Sequence, residues 1–68
     1  MPYVKIQVTD EGVTSSQKQR LIAQTTEMLS DVLNKDPATT FVVIEEVPLE
    51  NWGISGLPVH ELRRKQQR

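Results

Sequence analysis

The sequence has no cysteine, and its 68 residues include only one histidine, one tryptophan, one tyrosine and one phenylalanine. The absence of cysteine removes disulfides, and with His60 alone none of the usual Cys and His spacings that hold zinc can be formed. Apolar runs are short. None approaches the roughly 18 residues of a membrane span, and the N-terminus lacks a basic segment followed by a long apolar core. Neither sign of charge dominates: a net charge of -1 and a pI of about 5.7 give no footprint for nucleic acid, which is bound through clustered Lys and Arg at phosphates. There is no phosphate-cradling glycine loop and no activated-serine arrangement. The expectation is a cytoplasmic, cofactor-free chain that binds neither nucleic acid nor membrane.

A chain of this length forms one domain, residues 1–68, and buries only about 60% of its unfolded surface. Small scaffolds are usually supported by disulfides, a metal or oligomerisation. With the first two lacking, self-association is expected.

Along the chain, Val4, Ile6 and Val8 alternate with Tyr3, Lys5 and Gln7, the period-two pattern of a strand with one apolar face, predicted over Tyr3 to Val8. Asp10, Glu11 and Gly12 form a polar turn cluster. Thr14 stands three residues ahead of Gln17, the spacing of a capping box. Leu21, Ile22, Met28, Leu29, Val32 and Leu33 then recur as a helical stripe. The helix is expected to stop near Asn34, because Pro37 pushes Asp36 out of the helical region. Phe41-Val42-Val43-Ile44 is an aromatic and β-branched run, the mark of a strand apolar on both faces. Glu45 and Glu46 close it, and Pro48 ends it. As neighbours on a strand the two glutamates point to opposite faces and cannot act as a carboxylate pair.

Strand, helix of about 19 residues and strand make a βαβ unit, so the fold class is α/β with parallel strands and a right-handed crossover. One helix covers one face of that sheet, and the other face must meet another subunit or water. Trp52-Gly53-Ile54-Ser55-Gly56 suits a short C-terminal hairpin or an arm on a neighbour. Val59 to Gln67 reads as a brief helix, basic through Arg63, Arg64, Lys65 and, just beyond it, Arg68.

Pro2 is the chemical focus. The small residue after Met1 favours removal of the initiator, leaving a free secondary amine at the tip of the first strand. An α-amino group titrates at about 7.7 to 8.0, and burial or a nearby cation lowers that value. Such an amine serves as a general base near neutral pH. With Met1 retained, the same nitrogen is a tertiary amide without basicity.

In Pro2, the strand to Val8, Glu11-Gly12, Gln17-Lys18 with Leu21-Ile22, Pro37, Val43 to Val47 and Trp52 to Gly56, the chain resembles the 4-oxalocrotonate tautomerase family of the tautomerase superfamily. The resemblance implies a β-α-β subunit with a C-terminal hairpin, assembled as a hexamer of three dimers, with the amino-terminal proline as catalytic base. It also implies that the aromatic at Trp52 walls the pocket. Family members acting on dicarboxylates carry an arginine directly after the Glu-Gly pair and another on the second strand. Here those positions are Val13 and Phe41 or Val42, and Ser55 replaces a glycine of the usual hairpin.

The candidate substrate-binding residues are therefore Trp52, Lys5, Arg63 and Arg64, the last two reaching a pocket only from a neighbouring subunit. Each has a plainer role: Trp52 as an interface anchor, Lys5 as a solvated strand residue, and the arginines as favourable charges at a helix C-terminus. His60 belongs to the surface of the tail helix. Two functions follow. The first is a cofactor-independent isomerase that moves a proton between enol and keto forms of a small 2-oxo acid, as a homohexamer. Hydratase or dehalogenase chemistry at the same proline is a variant of it. The second is a non-catalytic subunit or assembly protein of a mixed hexamer.

Overall fold

Alternation of apolar and polar residues makes the first strand, and the computed structural model, which describes residues 1–66, places β1 at Tyr3–Thr9. Its Val4, Ile6 and Val8 are half-buried, whereas Tyr3, Lys5 and Gln7 are exposed. Strand β2, Phe41–Val47, lies parallel to β1 with Tyr3 opposite Phe41 and Thr9 opposite Val47. As expected it closes through Glu45 and Glu46 and stops before Pro48, with Gln7, Val8 and Thr9 opposite Glu45, Glu46 and Val47.

Helix α1, Ser15–Leu33, connects the two strands. Thr14 and Gln17 form the expected capping box: the Thr14 hydroxyl accepts the Gln17 N–H at 3.1 Å, and Gln17 Oε1 accepts the Thr14 N–H at 2.9 Å. Asn34 closes the helix in the left-handed region at φ 56 and sends its N–H to Leu29 and Ser30. A 3-10 turn over Pro37–Thr39, capped by Asp36 at 2.9 Å from Ala38 N, then delivers the chain to β2. Neither this turn nor a second one at Leu49–Asn51 is visible in the hydrophobic pattern.

Strands β3 (Gly53–Ile54) and β4 (Leu57–Pro58) pair antiparallel as the expected hairpin. Ser55 and Gly56 turn it with φ of 54 and 79, both in the left-handed region that tight hairpin turns demand. Helix α2, Val59–Gln66, follows directly. The last residue of the expected helix, Gln67, and Arg68 lie outside the described residues.

Helix α1 covers the face of the sheet that carries Val4, Ile6, Val42 and Ile44, and Lys18 of α1 reaches Glu46 of β2 at 2.9 Å. The opposite face is bare: Tyr3 is 62%, Phe41 49% and Val43 42% exposed. The two glutamates do part, Glu46 to the helix side and Glu45 to the bare side.

Among the described residues only Val59, at 4%, is fully buried. The radius of gyration is 15.8 Å, against about 11 Å for a compact domain of this length. On α1 itself Met28, Val32 and Leu33 remain more than half exposed. Uncovered apolar surface of this extent marks a face for contact with further protein.

Candidate active site

Pro2 immediately precedes β1 and is half-buried. Its carbonyl accepts the Phe41 N–H at 3.0 Å, which fixes it at the start of both strands. The first ladder pair, Tyr3 and Phe41, stands beside it with both rings' residues on the bare face. Met1 projects past this end and is 86% exposed. The proline nitrogen is thus held at a rigid strand tip beside apolar surface, and covering that surface would desolvate it.

Lys5 lies on the same face, two residues along. Its Nζ is 3.3 Å from Glu45 Oε1, and Gln7 Nε2 donates to the same oxygen at 2.6 Å. The Gln7 hydrogen bond first, and then Lys5, hold the Glu45 carboxyl below the usual carboxylate range. The Lys5 charge is therefore directed along the strand to a partner of its own.

The other candidates stand elsewhere. Because β1 and β2 are parallel, Thr9 and Val47 mark one end of the sheet, and Pro2 and Phe41 mark the other. Seven strand residues separate the two ends by about 23 Å. Trp52 lies beyond Val47, after the 3-10 turn; its N–H donates to Leu49 O at 3.2 Å and its carbonyl accepts Val59 N–H at 2.8 Å. Arg63 binds Glu11, just past Thr9, with both terminal nitrogens: Nη1 meets Oε1 and Nη2 lies 3.3 Å from Oε2. The Thr9 hydroxyl donates to the same carboxylate. Arg63 first, and Thr9 second, push the Glu11 pKa down, and Glu11 in turn raises that of Arg63. Arg64 sits 3.6 Å from Glu61, one turn back on α2. His60 is exposed on that helix, as expected.

One chain therefore brings Pro2, Tyr3, Phe41 and Lys5 together at one edge, and leaves Trp52, Arg63 and Arg64 at the far end. The aromatic pair beside Pro2 escaped the sequence reading, although the register that sets Phe41 against Tyr3 follows once Pro2 O and Phe41 N are paired. A shallow depression near the start of α1 was missed as well. It is lined by Val13, Gln17, Arg20, Leu21 and Gln24, and nothing in the hydrophobic pattern marks it.

Residues 2–62 match the family model of tautomerase enzymes. The chain belongs to the tautomerase family. A probable tautomerase of Dickeya dadantii is 52% identical over 65 residues, covering 96% of this chain and 97% of that protein. The 2-hydroxymuconate tautomerase of Pseudomonas putida is 39% identical over 64 residues, with 94% of this chain and 100% of the relative covered. Among solved structures, a heterohexameric 4-oxalocrotonate tautomerase from Chloroflexus aurantiacus superposes with a TM-score of 0.82 at 25% identity, covering 93% of this chain and 100% of that chain. Oligomeric assembly thus occurs among the structural neighbours of this chain.

Proposed function

We propose that this tautomerase-family chain is a cofactor-independent isomerase, active as an oligomer of like subunits and most simply a homohexamer, in which Pro2 is the general base once Met1 is removed. The observation that carries this reading is the placement of Pro2. It is fixed by the Phe41 hydrogen bond at the edge of a sheet face whose Tyr3, Phe41 and Val43 are bare in the subunit. Docking another copy there removes water from the amine, disfavours its protonated form and brings its pKa toward neutrality. The uncharged nitrogen then takes the hydroxyl proton of the enol of a 2-oxo acid. The electron pair shifts through the conjugated system, the carbonyl forms, and the prolinium returns the proton to carbon.

The names of the relatives support this direction of chemistry, one of them being a 2-hydroxymuconate tautomerase. Trp52 is proposed to wall the pocket of a neighbouring copy, since its own Pro2 is at the other end of the sheet. Lys5 and Arg64 are weaker candidates for substrate contact than they are in the bare sequence, because each has a carboxylate beside it. Arg63 is bound more firmly still, through two nitrogens.

The test combines an intact mass with an assay on the same sample of untagged, cytoplasmically produced protein. A mass without methionine, enol ketonisation by that sample, and a large loss in Pro2→Ala with assembly preserved are the expected results. Retained Met1 in an active sample would rule the proline base out.

A second reading is favoured by one observation, the apolar Val13 and Phe41 or Val42 at the two positions where a dicarboxylate-binding member would carry arginine. In it the chain is the non-catalytic partner in a mixed hexamer, as a heterohexameric neighbour makes conceivable. Turnover by the pure single chain decides against it.

A further inference from the structure

The depression at the start of α1 is built from an apolar floor and a rim of hydrogen-bond donors. Val13, half-buried, and Leu21, 36% exposed, supply the floor; Arg20, Gln17 and Gln24 supply the rim. Gln17 has spent its carbonyl on the Thr14 N–H at 2.9 Å, so its carboxamide NH₂ is what remains to face a ligand. Arg20 differs from the other arginines of the described residues. Arg63 is bound to Glu11 and Arg64 lies against Glu61, as Lys5 does against Glu45 and Lys18 against Glu46. Arg20 enters no ion pair among the described residues, and it lines a depression whose other lining residues, Val13, Gln17, Leu21 and Gln24, include no acid. Lys35 is likewise unpaired there, but it stands at the other end of α1.

We propose that this depression binds one carboxylate, through the Arg20 guanidinium with help from the Gln17 amide, and that the ligand is a monocarboxylate with an apolar body that rests on Val13 and Leu21. A planar guanidinium fork makes two charge-assisted hydrogen bonds to a carboxylate at once. An arginine already satisfied by a glutamate must give up that pairing before it can do the same, which Arg20 need not. The proposal rests on the tautomerase reading in one respect: it makes Arg20 the residue that holds the carboxylate of the 2-oxo acid. Residue 20 lies on the second turn of α1, at the end of the subunit away from its own Pro2, so the depression serves the proline of a neighbouring copy. One free cation matches one carboxylate. A second carboxylate on the substrate meets Val13 and Leu21 and is left without a partner, which is unfavourable.

The experiment separates binding from turnover. Titrate the intact oligomer with cinnamate, an unreactive monocarboxylate with an apolar body, and with the neutral cinnamamide. The parent binds cinnamate at least about tenfold more tightly than the amide, the range expected for a hydrogen bond to a charged group. Arg20→Gln removes that preference, Arg20→Lys restores part of it, and Gln24→Glu, which sets a carboxylate at the rim, weakens cinnamate binding. In turnover of phenylenolpyruvate, Arg20→Gln raises KM and leaves kcat nearly unchanged, whereas Pro2→Ala lowers kcat. Undiminished cinnamate preference in both Arg20→Gln and Gln24→Glu overturns the proposal whether or not the protein is a tautomerase. Absence of turnover in the parent, with the cinnamate preference still dependent on Arg20, removes the tautomerase reading alone.

Discussion

At the scale of single residues, the proposed base sits where a backbone hydrogen bond fixes the strand tip. Pro2 is tied to Phe41 through its carbonyl at 3.0 Å, so replacing its ring changes the proposed base and leaves the ladder in place. Pro2→Ala is expected to lower kcat by at least about a hundredfold, the scale of a lost acid-base contribution, with unchanged sedimentation. Parent-like kcat would place the base elsewhere. Ser55 presents the opposite case. It holds φ 54 at the hairpin turn, where a side chain costs about 1 to 2 kcal/mol relative to a residue at ease in that region. Ser55→Gly should therefore stabilise the protein by about 0.5 to 1 kcal/mol after the glycine's own entropy cost, read as an upward shift in the urea midpoint at fixed protein concentration.

At the scale of elements, α2 packs on the hairpin and the second 3-10 turn through the buried Val59, and one carboxylate ties its far turn to the end of β1. Glu11 takes both terminal nitrogens of Arg63 and the Thr9 hydroxyl, and Arg63 foremost lowers its pKa. A depressed acid contributes stability that is fully present above its unfolded value, about 4.3 for Glu, and is lost as pH falls through the folded value. Arg63, whose pKa is raised, keeps its charge throughout that window. Docking of α2 should hold from neutral pH down to about pH 4 and loosen below it. Glu11→Gln should show the loosened state already at pH 7. Amide exchange protection of α2 reports both, and equal protection in parent and variant at neutral pH would show that the pair does not hold the helix.

Local signals made most of these elements legible. The Thr14 to Gln17 spacing, the Val4-Ile6-Val8 alternation and the Phe41 to Ile44 run each act through the backbone of their own segment, and β1, α1 and β2 form where they point. The hairpin and the tail helix were legible for the same reason. What the sequence hid is what depends on pairing between segments. The register that sets Tyr3 against Phe41 comes from β1 meeting β2, the Glu11 partnership of Arg63 spans 52 positions, and the depression around Arg20 exists only once Val13 folds against α1. Candidate cations chosen by charge alone, Lys5, Arg63 and Arg64, all proved to have a nearby carboxylate, which no spacing rule reports.

At the scale of the whole molecule, the proposed site residues do not meet within one subunit. Pro2 lies at one end of a sheet about 23 Å long, and Trp52, Arg63 and the Arg20 depression lie at the other, so the proposed site would need two copies. The same conclusion follows from packing, with a single buried residue among those described and Tyr3, Phe41 and Val43 bare. A lysine at position 43 puts a charge into whatever covers that face, and Val43→Lys should shift sedimentation to a smaller species with loss of activity. Complementation gives the sharper test. Co-assemble equal amounts of Pro2→Ala and Arg20→Gln subunits and assay at low substrate, where a KM defect is visible. If proline and arginine in a site come from different copies, about one quarter of the sites in a randomly mixed symmetric oligomer have both native residues, and the mixture outperforms either variant alone. If both came from one chain, every site would carry one lesion or the other, and mixing would give no more than the average of the two.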